Sequence, residues 1–72
     1  MKVDIFKISG IKPGYVQTNL EMDVVPNVGD EICLDEEVVG QRRYIVNNRK
    51  IFYQVDKNKA TCDRVLLHVS LC

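Results

Sequence analysis

The sequence predicts an all-β fold: one small domain over residues 1–72, with five or six antiparallel strands in a meander that closes into a barrel. Short stretches rich in aliphatic, β-branched and aromatic residues alternate with turns that contain Gly, Pro, Asn or Asp. No stretch shows a helical period without a competing strand pattern. A chain of 72 residues also buries only a thin core, so its sheet must curl around that core.

The first predicted strand is Lys2–Ile8. It carries apolar residues on both faces, so the pattern does not decide which face meets the core. The chain is then predicted to reverse at Lys12–Tyr15. Pro13 fixes the φ angle at the first central position of a type II turn, and Gly14 supplies the positive φ that the second position requires.

The next predicted strand is Leu20–Val24, where apolar and acidic residues alternate as they do in a half-buried strand. Pro26–Asp30 has the composition of a turn and leads into a strand at Glu31–Leu34. Asp35–Glu37 is predicted to be an acidic loop or a single helical turn.

The stretch Arg42–Val55 predicts the central strand, because it is rich in aromatic and β-branched residues and contains neither Gly nor Pro. Tyr44 lies on one face of an extended chain and Ile51 on the other, so the apolar face changes near Asn47 and Asn48. A bulge at either Asn would bend one long strand in this way. The alternative is a two-residue hairpin with both Asn residues at positive φ. We favour the bent strand because Asn rarely replaces Gly at the second hairpin position.

The last part of the chain predicts a polar turn at Asp56–Lys59 and a closing strand at Arg64–Leu71. In that strand every second residue faces the core: Val65, Leu67, Val69 and Leu71. A helix is the alternative, because a spacing of three and four residues also joins an apolar set: Cys62, Val65, Leu66, Val69 and Cys72. The strand is preferred since the helix would leave two leucines off its apolar face.

The cysteine count and the absence of a long apolar run predict a cytoplasmic protein with free thiols. The chain has three cysteines, Cys33, Cys62 and Cys72. An odd number with no two close in sequence is a poor basis for a disulfide framework. Zinc is not expected, because structural zinc sites usually take ligands in close pairs and the other candidate ligand is the single His68. The chain contains no run of about 18 apolar residues, so no membrane span is predicted, and no signal peptide is expected.

The two halves of the chain carry opposite charge, although the net charge is zero. Residues 1–40 contain three Lys and eight acidic residues, a balance of −5, and residues 41–72 contain seven basic and two acidic residues, a balance of +5. Such asymmetry can mark a binding surface. The alternative, which we favour, is that acidic and basic strands lie side by side and pair across the sheet.

One resemblance is carried by the pattern Pro26-x-Val28-Gly29-Asp30-x-Ile32, followed by a long strand that begins at Tyr44, a polar turn and a closing strand. Over residues 26–71 this arrangement resembles the small barrels of the Src-homology-3 (SH3) type found in many short bacterial and phage proteins. The resemblance implies an SH3-like β-barrel that serves as a binding module, and it assigns no residue a role. The chain lacks the dense aromatic groove of the members that bind proline-rich peptides.

Catalysis is not expected from this sequence. His68 falls on the outward phase of the last strand, and the candidate nucleophiles Cys33, Cys62 and Ser70 have no motif around them. Paired carboxylates for acid and base catalysis could come from Asp30, Glu31, Asp35, Glu36 and Glu37, but these lie in turns, without an apolar setting that would raise a pKa. No Gly-rich phosphate loop or dinucleotide fingerprint occurs, and no cofactor is predicted.

Two binding functions remain. The preferred one is a small inhibitor or adaptor that binds another protein through an exposed strand edge or an acidic turn. Its candidate residues are Asp30, Glu31, Asp35, Glu36 and Glu37. The alternative is binding of single-stranded RNA or DNA on a basic and aromatic strand face. Its candidate residues are Arg42, Arg43, Tyr44, Arg49, Lys50, Phe52 and Tyr53.

The charge balance favours the protein partner. A nucleic-acid-binding domain normally carries net positive charge or an unopposed basic stripe, and this chain is neutral. The aromatic residues of the second set are also candidates for the core. A homodimer is a further alternative.

Overall fold

A computed structural model describes residues 1–8, 13–36 and 40–72, without the side chain of Glu36. Its elements are five strands: β1 (Lys2–Lys7), β2 (Gly14–Glu21), β3 (Glu31–Glu36), β4 (Gly40–Asp56) and β5 (Lys59–Leu71). The described ranges contain no helix, and so none that could cross a membrane. The all-β prediction and the lower of the two predicted strand numbers are confirmed.

The strands form one sheet in the order β2-β1-β5-β4-β3. Neighbours are antiparallel except β1 and β5, which pair in parallel from Val3 opposite Val65 to Lys7 opposite Val69. The predicted meander, antiparallel throughout, is therefore wrong. The first strand enters the middle of the sheet beside the last one, and no local sequence pattern encodes a pairing between chain ends.

The sheet curls but does not close. β2 and β3 are its two edges, and these edge strands do not contact each other in the described part of the chain. The chain connects them through residues 22–30, which run from one edge of the sheet to the other. The result is an open, curled sheet that resembles half a barrel, and the predicted closed SH3-like barrel is not confirmed.

The core occupies one face of this sheet. Cross-strand register places Ile5 opposite Leu67 and Val69 opposite Val46 on that face. Their side chains are completely or almost completely buried. The buried apolar residues are Val3, Ile5, Ile32, Tyr44, Val46, Val65, Leu67 and Val69. We call this side the core face and the opposite side the outer face.

β4 is one bent strand, as predicted, and the hairpin alternative is wrong. Val46 pairs with Val69 and Asn48 with His68, so Asn47 is an extra residue without a register partner, although its Nδ2 donates to Ser70 Oγ on β5. This bulge shifts the alternation by one residue. Tyr44 before it and Ile51 after it therefore both lie on the core face, opposite Leu71 and Val65.

β5 is also a strand, and the helical alternative is wrong. Val65, Leu67 and Val69 face the core as predicted, with at most 1% of each side chain exposed. Leu71 shares that face but is 50% exposed, because it lies at the end of the sheet. The core-facing register is therefore correct, and the expected burial of Leu71 is not.

Two of the predicted turns are confirmed. In Pro26–Asp30 the N–H of Asp30 donates to the carbonyl of Asn27 at 3.0 Å, and Gly29 has a φ of +94°. In Asp56–Lys59 the two central residues have φ of +46° and +68°, which is the geometry of a type I′ hairpin. These are Lys57 and Asn58.

Other predicted boundaries are wrong. β2 begins at Gly14, which pairs with Lys7 instead of occupying a turn, and Lys12 lies outside the described residues. β2 ends at Glu21, and Val24 is 77% exposed. Apolar alternation misplaced this strand because β2 is an edge strand with many polar residues.

The acidic loop predicted at residues 35–37 is wrong for residues 35 and 36. Asp35 and Glu36 continue β3, opposite Gln41 and Gly40. Glu37 lies outside the described residues.

The burial difference within β5 gives a test of this fold. Replacing Leu67 with Ala should reduce the free energy of unfolding by about 2–5 kcal/mol, since it leaves a cavity in the core. The matched change Leu71→Ala should reduce it by less than about 1 kcal/mol, because that side chain is half exposed. Urea denaturation followed by circular dichroism measures both. Equal effects would contradict the assigned core.

Candidate functional site

The long strands extend beyond their partners and leave open edges. β3 pairs with β4 only as far as Ile45, and Val46 then exchanges backbone hydrogen bonds with Gly29 and Asp30 at 2.8 and 2.9 Å. Past that point no strand in the described ranges pairs with this edge of β4. β1 likewise covers β5 only from Val65 onward. Residues 50–64 therefore form a two-stranded ribbon, here called the arm.

The arm exposes apolar side chains on its core face. Ile51 lies opposite Val65, Tyr53 opposite Cys62, and Val55 opposite Ala60. Their exposed fractions rise toward the tip: 40% for Ile51, 57% for Tyr53 and 75% for Val55. This alternation is typical of a half-buried strand, yet Tyr53 and Val55 stay mostly exposed, although Met1 Sδ contacts Cys62 Sγ at 3.9 Å on this face.

The acidic candidates lie along the edge strand β3. Ile32 and Leu34 face the core, so Glu31, Cys33 and Asp35 project from the outer face. Glu31 forms an exposed ion pair with Arg43 at 3.4 Å.

The structure therefore brings four of the five acidic candidates to one edge of the sheet. Glu36 ends β3, and Asp30 precedes it in the turn, where its carboxylate accepts a hydrogen bond from the N–H of Asn27 at 2.8 Å. Glu37, the fifth, lies outside the described residues.

The basic and aromatic candidates do not share a surface. Arg43, Lys50 and Phe52 lie on the outer face, by their pairing with Cys33, Leu66 and Arg64. The other four lie on the core face: Arg42, Tyr44, Arg49 and Tyr53. Of these, Tyr44 is only 3% exposed and is a core residue.

Arg49 holds the β2–β3 connection in place. Its Nη1 donates to Asn27 Oδ1 at 2.8 Å and to the carbonyl of Pro26 at 3.4 Å. Lying opposite Leu67 on the core face, it fastens residues 26–27 over the edge of the core. Its guanidinium is therefore committed to the fold.

Sequence reasoning missed an aromatic row on the outer face. Register aligns Tyr15 with Phe6 and Phe6 with His68 across β2, β1 and β5. Phe6 meets Tyr15 at a centroid distance of 5.0 Å and His68 at 6.0 Å, both edge to face. The signal that could have found this row is the pairing of β1 with β5, which the sequence does not disclose.

An ion pair with a buried carboxylate lies next to this row. Asp4, only 8% exposed, forms this pair with Arg64 Nη1 at 3.2 Å and accepts a hydrogen bond from the N–H of Asn19 at 2.8 Å. Arg64 Nη2 also donates to Asn19 Oδ1 at 3.1 Å. Asn19 adopts a φ of +54° at a bulge in β2, which brings its N–H to the carboxylate. Asp4 is thus satisfied within the fold.

The cysteines and the candidate metal ligands also lie within the described ranges. The thiols of Cys33 and Cys72 are exposed, that of Cys62 is half-buried, and all three are free. No group of three His, Cys, Asp or Glu in these ranges could hold a metal ion.

A shallow depression of about 290 Å³ is lined by Gln41, Arg42, Arg43, Leu71 and Cys72. The N-terminal ammonium, bonded to the exposed Glu21 carboxylate at 2.6 Å, lowers the pKa of Glu21 from its ordinary value.

Comparison with known proteins gives no match: no family model, curated protein or solved structure is significantly similar to this chain. The resemblance to small SH3-like proteins therefore stays a prediction.

The role assigned to Arg49 can be tested against a matched arginine. Arg49→Met should lower the free energy of unfolding by about 1–3 kcal/mol, because two hydrogen bonds from a charged donor are lost. Arg43→Met removes only an exposed ion pair and should change it by less than about 1 kcal/mol. Chemical denaturation of both variants provides the measurement. A larger loss of unfolding free energy in Arg43→Met than in Arg49→Met would contradict the role of Arg49 in holding the β2–β3 connection.

Proposed function

We propose that this chain is a non-enzymatic protein-binding module, an inhibitor or adaptor, which adds an extended segment of its partner to the open edge of β3. The observation that carries the proposal is the position of β3 at the edge of the sheet with acidic side chains along it. Strand addition supplies affinity through backbone hydrogen bonds and specificity through alternate side chains.

The backbone of β3 has groups available for such an addition. Val46 directs its N–H and carbonyl toward Asp30 and Gly29. Alternation along β4 then directs the backbone of Tyr44 toward Ile32, its register partner. The intervening residues of β3 must point the opposite way, toward the open edge: Glu31, Cys33 and Asp35.

The side chains on this edge define the partner chemistry. Glu31 and Asp35 project from the outer face on either side of Cys33. An added strand would place one residue opposite each of these three. A segment with Lys or Arg at two positions four apart, and an aliphatic residue midway between them, complements the pattern because opposite charges across a strand pair attract.

A designed peptide tests this chemistry. An eleven-residue peptide with a central Lys-Thr-Val-Thr-Lys segment should shift the amide NMR signals of β3, whereas its Glu-Thr-Val-Thr-Glu counterpart should not. Charge reversal in the protein, Asp35→Lys, should weaken binding of the Lys peptide about tenfold. Equal affinity for the Lys and Glu peptides, or no effect of Asp35→Lys, would contradict the proposed role of the acidic side chains of β3.

Proline at the edge tests the backbone geometry. Cys33→Pro removes an N–H that points away from β4, so the fold should survive while affinity for the Lys peptide falls more than about tenfold. Cys33→Ala keeps that N–H and should bind normally. Leu34→Pro, which removes an N–H directed toward β4, should unfold the protein. Normal peptide binding by the folded Cys33→Pro variant would contradict strand addition at this edge.

Binding of single-stranded nucleic acid is the second candidate, and the outer aromatic row favours it. Bases stack on aromatic side chains, and Tyr15 is 60% exposed beside Phe6 and His68. Of the basic candidates, Arg43 and Lys50 lie on the same face, opposite Cys33 and Leu66.

A fluorescence titration with a mixed-sequence oligonucleotide at low salt distinguishes this candidate from the first. Since the protein has no net charge, we expect no saturable binding. Binding that weakens steeply with salt and is lost in Tyr15→Ala but retained in Tyr53→Ala would establish nucleic-acid binding on the outer face.

A further inference from the structure

The part of β4 that extends beyond β3 carries a self-complementary sequence. Its seven residues are Lys50-Ile51-Phe52-Tyr53-Gln54-Val55-Asp56, and two pairs of positions complement each other about Tyr53. The ends have opposite charge, Lys50 and Asp56. The next positions inward are both aliphatic, Ile51 and Val55. An antiparallel strand that pairs with its own copy about Tyr53 would thus meet a complementary partner.

The backbone of this segment is oriented for pairing at its open edge. Core-facing residues of β4 direct their N–H and carbonyl groups away from β5, as Val46 does toward β3. Ile51, Tyr53 and Val55 lie on the same face and therefore direct theirs to the same side. In the described structure no strand pairs with them on that side.

We propose that two copies of this chain form a homodimer through this edge, antiparallel, with the two-fold axis at Tyr53. Lys50 then lies opposite the partner's Asp56, and Asp56 opposite the partner's Lys50. Ile51 lies opposite the partner's Val55, and the two Tyr53 residues face each other. The two five-stranded sheets become one sheet of ten strands.

The register follows from charge and backbone direction together. A two-fold axis at Phe52 or Gln54 would pair residues whose backbone groups point toward β5, so it forms no hydrogen bonds at the centre. An axis at Ile51 or Val55 keeps the backbone direction but separates Lys50 from the partner's Asp56. Only an axis at Tyr53 within this segment gives both the hydrogen bonds and the two ion pairs.

The dimer also accounts for the exposed apolar side of the arm. Ile51, Tyr53 and Val55 of both copies would lie side by side on one face of the joined sheet, where each shields the next. Seven residues from each copy make a small contact, since standard interfaces use about 20–30 a side. We therefore expect a weak dimer, with a Kd on the order of 10–100 μM.

This dimer uses β4, whereas the proposed partner-binding edge is on β3. An experiment can therefore contradict either proposal without contradicting the other. Sedimentation equilibrium between 10 μM and 1 mM should show a monomer–dimer equilibrium. Lys50→Asp and Asp56→Lys each place like charges opposite one another twice per dimer, and each should raise the dimer Kd at least tenfold. The double variant restores opposite charges and should return the Kd to within about threefold of the wild type. A chain that stays monomeric at 1 mM, or a double variant without rescue, overturns the proposal.

Cross-linking tests the position of the axis. In a background with Cys33→Ser, Cys62→Ala and Cys72→Ser, a Tyr53→Cys variant should form an interchain disulfide. The facing Cα atoms of a hydrogen-bonded pair lie about 5.5 Å apart, within reach of that bond. Val55→Cys is the matched control, because Val55 and the partner's Val55 would be offset by four residues, about 13 Å. Equal or faster cross-linking at position 55 overturns the register.

Discussion

Unequal strand length is the constraint on which the accessible surfaces of this protein depend. β4 and β5 are 17 and 13 residues long, whereas β1 and β3, which flank them, have six each. The short strands cover the long ones only around the core, so the remainder of β4 and β5 forms an arm to which no further strand pairs in the described part of the chain. A two-stranded ribbon gains little stability from burial, and its unpaired backbone groups are a ready template for another strand. β3 is open for a different reason: it is the last strand of a sheet that does not close in the described part of the chain.

The bulge at Asn47 lets one long strand serve both the core and the arm. Before it, Tyr44 and Val46 face the core, and after it Arg49 and Ile51 do. Without the extra residue the second pair would face outward, Arg49 could not reach Pro26 and Asn27, and the β2–β3 connection would lose its clamp. The apolar side of the arm would then continue the outer face and not the core face. One inserted residue thus decides which side of the arm is apolar.

Much of this fold could be predicted from the sequence wherever local pattern determines structure. Alternation from Val65 to Val69 marked β5, the change of phase near Asn47 marked the bulge, and Pro26–Asp30 marked a turn. The parallel pairing of β1 with β5 could not be predicted, because it joins the two ends of the chain and β1 buries both faces, with Asp4 on the outer one.

The candidate sites, like the fold, could be predicted only where they depend on local sequence. The acidic residues of β3 were identified by composition, but their place on an edge strand required the strand order. The basic and aromatic set, taken from one continuous stretch, separates onto two faces. The aromatic row could not be found, since its three members come from three strands that only the tertiary fold brings together.

The distribution of charge separates the roles of the two open edges. Opposite charges from the two halves of the chain meet in exposed pairs such as Glu31 with Arg43, as expected for acidic and basic strands that lie side by side. At the edges the charges differ in symmetry. If β3 paired with its own copy about Cys33, Glu31 would face the partner's Asp35, and like charges would oppose each other twice. Pairing of β4 about Tyr53 instead brings Lys50 to the partner's Asp56. Charge therefore disfavours self-association at β3 and favours it at β4, in agreement with the proposal that β3 binds a basic segment of a different protein.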